Sequence, residues 1–367
     1  MDDRYMLRAI ELAKKGIGKV NPNPLVGAVI VKDDRIIGEV YHRKHGDLHA
    51  ERHAFSNLTE RAEGAEMYVT LEPCCHYGKQ PPCTEAIISH QIKRVYVGSD
   101  DPNVLVAGKG MKILRDAGIE VIPHVRKEEC DALNSVFFHY ITTGRPYVVM
   151  KYAMTLDGKI ACETGESKWV TGEAARLRVQ ERRNELSGIM VGIGTVLADD
   201  PNLTCRLPDG RNPVRIVCDS HLRIPFECNL VRTAENIRTI IATISMDLKK
   251  KKELEKRGAE VVICKEKDKR VDLQDLMLYL GNENIDGILL EGGSSLNNSA
   301  LKAGIVNRIE AYVAPKIFAG SGKYTPVRGI GANTPSEAYL LRNPQVERIG
   351  EDLLLTYEVL GKKKIME

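Results

Sequence analysis

The strongest constraint on this chain is that one histidine and two cysteines, lying in separate stretches, are spaced as if to meet. They are His49-Ala50-Glu51, Pro73-Cys74 and, after eight intervening residues, Cys83. An imidazole, two thiols and an unligated carboxylate are what a catalytic zinc needs: three protein ligands, a fourth position open to water, and a base for that water's protons. Zinc brings the pKa of such a water down to about 7. Glu51 is placed to carry the protons. Two other readings use the same residues. His49 and His53 can bind metal as a helical pair, but that pattern wants Glu directly after the first His, where Ala50 sits. A closed structural site drawn from Cys74, Cys75, Cys83 and a histidine would leave Glu51 without a task, and adjacent cysteines rarely share one metal. The catalytic reading is preferred, with Cys75 packed beside the site.

The pattern resembles zinc deaminases of amino-pyrimidines and adenines, whose signature is H-x-E with P-C-x-x-C. Here the second half is stretched, because Cys75-His76-Tyr77-Gly78-Lys79-Gln80-Pro81-Pro82 separates the cysteines. Glu72-Pro73-Cys74-Cys75-His76-Tyr77-Gly78-Lys79 with Pro81-Pro82-Cys83 resembles the bifunctional riboflavin-biosynthesis family, a pyrimidine deaminase fused to a reductase. The resemblance extends over nearly the whole chain. It implies a three-layer cytidine-deaminase-like domain over residues 1–144 and a dihydrofolate-reductase-like domain with a mainly parallel sheet over 145–367. It also implies one zinc per chain, NADPH as reductant, and Asn23, His42, His76, Lys79, Asp101 and Asn103 in the deaminase substrate pocket. Chemically, cationic His76 and Lys79, with His42, suit a phosphate, whereas Asn23, Asp101 and Asn103 suit pyrimidine edges. Taken alone, Asp101-Pro102-Asn103 is an ordinary turn sequence.

Composition narrows the partners. A chain of 367 residues suggests two domains, and 43% apolar content is enough for a core in each. With 53 basic against 50 acidic residues the net charge is +3, so no strong field draws the protein toward nucleic acid or an anionic membrane. Met1-Asp2-Asp3-Arg4-Tyr5 lacks the apolar stretch of a signal peptide. No later segment approaches the roughly eighteen consecutive apolar residues of a membrane span. The nine cysteines are an odd number, mostly scattered singly as in Ile216-Val217-Cys218, which fits a reducing cytoplasm. The expected partners are small phosphorylated pyrimidines and further copies of the chain, with no nucleic acid or membrane.

Periodicity supplies the elements. Met6, Leu7, Ile10 and Ala13 predict a first helix ending at Gly16. Strands at 26–31 and 36–41 flank Asp33-Asp34, a hairpin in character. The segment 49–58 reads as a helix with His49 and Glu51 in its first turn, 67–71 as a strand delivering Cys74, and the stretch after Pro82 as a helix beginning with Cys83. Two helix N-termini would then favour thiolate and hydroxide. Alternation continues through 94–97, 110–117 and 120–122. After Gly144-Arg145-Pro146, strands are predicted at 147–153, 188–191, 214–218, 239–243, 260–263, 287–290 and 308–313, with a closing hairpin of 346–350 and 352–359. The charge run from Lys249 to Arg257 reads as a solvated helix face with interleaved signs.

Three segments carry the chemistry of the second half. Glu291-Gly292-Gly293-Ser294-Ser295 follows a strand and opens a helix, a geometry for cradling phosphate on backbone N–H groups, though not a Rossmann fingerprint. The resemblance puts Gly293, Ser294, Ser295, Leu296, Asn297, Asn298 and Ser299 on the cofactor, joined by Ala153, Trp169, Thr195, Asp199 and Ser220. It puts Lys151, Ser167, Thr171, Leu203, Arg206 and Glu291 on the substrate. Arg206 is the natural phosphate anchor, offering a planar fork of donors, and Arg183 is a further candidate. Asp199 or Lys151 would help with the proton. Nothing in the residues alone separates NADPH from NADH.

The expectation is a bifunctional enzyme of riboflavin synthesis. It would remove the 2-amino group of 2,5-diamino-6-(5-phosphoribosylamino)pyrimidin-4(3H)-one, then reduce the ribosyl chain to ribityl with NADPH. Two alternatives are a nucleic-acid-editing deaminase with a C-terminal binding module, which wants a basic groove, and a binding domain stabilised by structural zinc, which wastes Glu51.

Overall fold

The computed structural model describes residues 3–77 and 80–362. The chain divides into two compact units, Met1–Gly144 and Arg145–Glu367.

The first unit is built on five strands: β1 (Gly27–Lys32), β2 (Arg35–Tyr41), β3 (Glu66–Leu71), β4 (Arg94–Ser99) and β5 (Glu120–Ile122), ordered β2-β1-β3-β4-β5. β2 and β3 run antiparallel to β1, while β3, β4 and β5 are mutually parallel. Alternation along β1 explains the three layers. Ala28 and Ile30 face one core with Ala54, Phe55, Ile87 and Leu114, whereas Val29 and Val31 face another with Met6, Ala9, Ile10 and Cys130. Both faces are covered, so the strand is a continuous apolar run. The helix Arg4–Lys14 lies so close to β1 that a Cβ on Gly27 would stand 2.0 Å from the Ala9 carbonyl oxygen. Helices Lys127–Leu133 and Ser135–Thr143, which are not among the predicted elements, end the unit.

The second unit has a nine-stranded sheet. Its strands are β6 (Tyr147–Thr155), β7 (Gly188–Gly192), β8 (Val214–Cys218), β9 (Thr239–Thr243) and β10 (Glu260–Ile263), then, after a two-stranded ribbon of β11 (Glu266–Lys267) and β12 (Arg270–Val271), β13 (Gly287–Leu290), β14 (Val306–Ala314), β15 (Tyr339–Ile349) and β16 (Asp352–Lys362). The order is β10-β9-β8-β7-β13-β6-β14-β16-β15, parallel as far as β14 and antiparallel for the last two. Neighbouring residues of β8 again divide between two cores, Ile216 on one side and Val217 on the other. The closing hairpin is longer than its predicted residues, because β15 pairs along β16 through polar residues such as Arg342 and Glu358 that carry no apolar alternation. The helix Leu248–Lys256 carries the charge run, with only Leu254 buried. No helix among the described residues is long and apolar enough to cross a membrane.

Candidate metal centre and reductase cleft

The metal centre is assembled by three element ends. The helix near residue 50 is Ala50–Ser56, so His49 is not in its first turn but caps it in extended backbone, φ −63° and ψ 155°. That conformation turns the imidazole toward Cys74, just beyond β3, and Cys83, the first residue of the helix Cys83–Ser89. His49 Nδ1 stands 3.4 Å from each sulfur. A tetrahedral zinc with ordinary bond lengths separates its nitrogen and sulfur ligands by roughly 3.5 Å, so this donor set fits zinc by chemistry and spacing. His49, Cys74 and Cys83 are the one such cluster found among the described residues. Cys75 instead directs its thiol at the Leu105 carbonyl, 3.7 Å away.

Electrostatics separate the roles. A hydrogen bond with Cys83 pulls the Cys74 thiol far down, and His49 and the Cys83 backbone N–H add to it; Cys83 is correspondingly pushed up by Cys74 and by burial. Glu51 is 4% exposed, and burial, then the nearby Cys74, raise its carboxyl to about 7. It lies beside the three donors without being one of them.

Among the surrounding polar residues, His42 departs from expectation. His42 was expected as a cation for phosphate, but it is buried, and desolvation lowers its pKa. Its Nδ1 faces the Leu48 carbonyl at 3.1 Å, so that nitrogen donates. The neutral Nε2 then accepts from Asn23 Nδ2 at 3.1 Å. His42 therefore orients Asn23. Asp101, also buried, is raised to about 6, chiefly by desolvation, with the Asn103 backbone N–H and His76 pulling the other way. The Asn103 N–H donates to Asp101 Oδ1 at 2.8 Å. Lys79 lies outside the described residues.

Two supporting residues had no role in the sequence reading. Buried Glu72 accepts from the backbone N–H of Gly108 at 2.9 Å and of Met111 at 3.1 Å, holding the loop that carries Asp101 and Asn103 against the helix Lys109–Asp116. Arg52 donates to the Pro81 and Pro82 carbonyls at 2.9 and 2.8 Å, fixing the approach to Cys83. An acid directly before Pro73-Cys74 and a base directly after Glu51 were the available signals.

In the second unit a cavity of about 580 Å³ is lined by Lys151, Ala153, Ser167, Trp169, Thr171, Arg183, Thr195, Asp199, Arg206, Glu291 and the run Gly293–Asn297. The helix Ser294–Ala303, capped by Gly293, points its N-terminus into it. Ser220 and Ser299 line a second cavity of about 380 Å³. Two residues lie elsewhere. Leu203 is 4% exposed within the apolar cluster of Val191, Val217 and Leu230, so its side chain belongs to the core. Asn298 lines neither cavity and packs against Gly329, where an added Cβ would meet its Nδ2 at 2.0 Å.

Arg183 also departs from expectation. Its Nε and Nη2 bind the two carboxylate oxygens of Glu291 at 2.8 and 3.0 Å, and Nη1 binds the Thr204 carbonyl at 2.9 Å. With its fork occupied it positions Glu291 and is no free phosphate anchor. Desolvation opposes the charge on Glu291, but Arg183 and then Lys151 outweigh it and hold the carboxyl near 2. Desolvation pushes Lys151 down despite Glu291. The Arg206 guanidinium makes no hydrogen bond or ion pair among the described residues and remains open to the cavity.

Fold and site define a class: an enzyme joining a zinc-dependent, cytidine-deaminase-like unit to an α/β reductase unit. Residues 1–99 match the cytidine and deoxycytidylate deaminase zinc-binding region, and residues 146–355 match the RibD C-terminal domain. The chain is 57% identical to the riboflavin biosynthesis protein RibD of Actinobacillus pleuropneumoniae, covering 97% of this chain and 95% of that protein. It is 36% identical to RibD of Escherichia coli (strain K12), over 96% and 98%. Among solved structures, Acinetobacter baumannii RibD superposes with a TM-score of 0.87 at 36% identity, over 98% of both chains. The diaminohydroxyphosphoribosylaminopyrimidine deaminase/5-amino-6-(5-phosphoribosylamino)uracil reductase of Thermotoga maritima gives 0.85 at 40% identity, over 97% and 98%. The chain belongs to the RibD family of riboflavin biosynthesis proteins. It is a bifunctional deaminase and reductase with a zinc-binding deaminase region.

Proposed function

We propose that residues 1–144 deaminate 2,5-diamino-6-(5-phosphoribosylamino)pyrimidin-4(3H)-one and that residues 145–367 reduce the ribosyl chain of the resulting aminouracil to ribityl. The observation that carries this reading is the convergence of His49, Cys74 and Cys83 beside a buried Glu51 that is not one of the three donors. When bound, zinc supplies a Lewis acid that acidifies a water, and NADPH supplies a hydride.

The chain's own residues then manage protons and position. Glu51 takes a proton from the attacking water and returns it to the departing amino nitrogen, so that the C–N bond breaks and ammonia leaves. Asn23, set by His42, and Asp101 with Asn103 hold the pyrimidine edge, and His76 and Lys79 hold its phosphate. In the reductase, Arg206 anchors the phosphate, and Ser167 and Thr171 line the same wall. Lys151 and Asp199 exchange the proton that accompanies reduction; the desolvation that lowers Lys151 makes it a better donor near neutral pH. Ala153, Trp169, Thr195 and the Gly293–Asn297 turn receive the dinucleotide, with Ser220 and Ser299 beyond them.

We further propose a cytoplasmic homo-oligomer with no nucleic-acid or membrane partner, consistent with nine unpaired cysteines and an exposed edge strand at β15. The test is to supply the diamino-pyrimidine phosphate with and without NADPH and to identify products by mass. Ammonia and the aminouracil phosphate are expected without NADPH, and the ribityl product with it. Unchanged substrate in both reactions overturns the reading.

A further inference from the structure

The second cavity abuts the first. Gly192, Gly194, Ser295 and Leu296 border both, so the N-terminal turn of the helix Ser294–Ala303 forms their common wall. That turn suits a pyrophosphate. The reacting end of a dinucleotide then belongs with Lys151 and Arg206 in the first cavity, and its adenosine end in the second.

The lining of the second cavity is one-sided in charge. Around it stand His221, Arg223 and Arg270, and none of its lining residues is Asp or Glu. Arg223 follows β8, and Arg270 opens β12 of the small ribbon. Both are exposed, and neither has a carboxylate partner among the described residues; Arg270 Nη1 makes one long contact, 3.4 Å, with Ser299 Oγ. Arg342, also exposed, is by contrast paired with Glu358. Arg223 and Arg270 therefore hold uncompensated charge at a cavity mouth.

Dinucleotide sites choose between a ribose 2′-hydroxyl and a 2′-phosphate by the groups at that position. A carboxylate accepts from the hydroxyl, and would repel a phosphate; guanidinium forks bind the phosphate. We infer that Arg223 and Arg270 grip the 2′-phosphate of NADPH and are what makes this reductase select it over NADH. The inference rests on the reading of this unit as a dinucleotide reductase and adds the residues that discriminate. A phosphate monoester carries close to two negative charges at neutral pH, which two arginines balance.

The test uses the full-length zinc-loaded protein and measures affinities for NADPH, NADH and adenosine 2′,5′-bisphosphate by titration calorimetry. In the R223A/R270A variant the Kd for NADPH and for the bisphosphate should rise by roughly tenfold or more, the scale of a lost charge-assisted contact, while the Kd for NADH stays within about twofold. R223K/R270K should recover part of the loss, because it restores charge without the fork. Wild-type affinity for NADPH should fall with added salt more steeply than affinity for NADH. Both arginines are exposed, so an unchanged melting temperature is expected. Equal weakening of NADPH and NADH in R223A/R270A, or no weakening of either, overturns the inference. A wild-type protein that binds neither dinucleotide overturns the reductase reading itself.

Discussion

Single residues carry the first expectations. Cys74→Ser and Cys83→Ser should each lose zinc, whereas Cys75→Ser and His53→Ala should keep it, since neither belongs to the cluster of three donors. Metal content of the purified variants decides this, and equal loss in all four removes the ligand assignment. Arg206→Ala should weaken substrate binding roughly tenfold or more and leave NADPH affinity nearly unchanged, because its open guanidinium faces the cavity as a charge-assisted donor; separate titrations of the two ligands check it. Glu291 gives a pH dependence. Its carboxyl is held near 2 against an ordinary 4.5, so its contribution to stability is fully present above about 4.5 and is lost as pH falls toward 2. That shift corresponds to on the order of 3 kcal/mol, for a side chain only 12% exposed. Glu291→Gln should therefore melt well below the wild type at pH 7, with the gap narrowing as pH drops through that window. Residue identities were legible where chemistry alone restricts the choice, as at His49, Glu51, Cys74 and Cys83. They were not legible at Arg183, whose type suits a phosphate equally well until Glu291 is seen in its fork.

At the scale of elements, spacing fixes which strands exist better than where helices begin. The parallel strands β8, β9 and β13 end where their apolar runs end, because both faces are buried. The helix after His49 begins a residue later than expected, since a capping residue has extended backbone and no periodicity marks it. The role of Leu203 was hidden for a related reason: its neighbours in the core come from distant strands. One element exposed to a small change near the metal centre is the start of the helix Lys109–Asp116. A Cβ on Gly110 would stand 2.1 Å from the Pro73 carbonyl oxygen, so Gly110→Ala must displace either the helix or the backbone leading to Cys74. Lower melting temperature together with weaker zinc retention is expected. Glu72→Gln should cost about 1–3 kcal/mol by weakening the bonds to Gly108 and Met111, and should raise KM for deamination while leaving reduction alone. A parallel fall in both activities would mean that Glu72 serves global stability only.

For the whole molecule, the claim is that two compact units carry two consecutive activities. The two-unit division was within reach of the sequence because the metal residues are complete before Gly144 and a new apolar strand starts at Tyr147. The charge balance of the second cavity was not, since Arg223 and Arg270 are far apart in the chain and meet only through folding. The most direct measurement mixes two variants in one tube with the diamino-pyrimidine phosphate and NADPH. Glu51→Gln keeps the shape of the deaminase site but should slow ammonia release by about a hundredfold or more, the low end for a general acid or base. A Lys151→Met/Asp199→Asn double variant should deaminate normally and accumulate the aminouracil phosphate. Together they should yield the ribityl product, identified by mass, although neither does so alone. If both variants are folded and the mixture still stops at the aminouracil phosphate or earlier, the two activities do not reside in independent sites, and the account is contradicted.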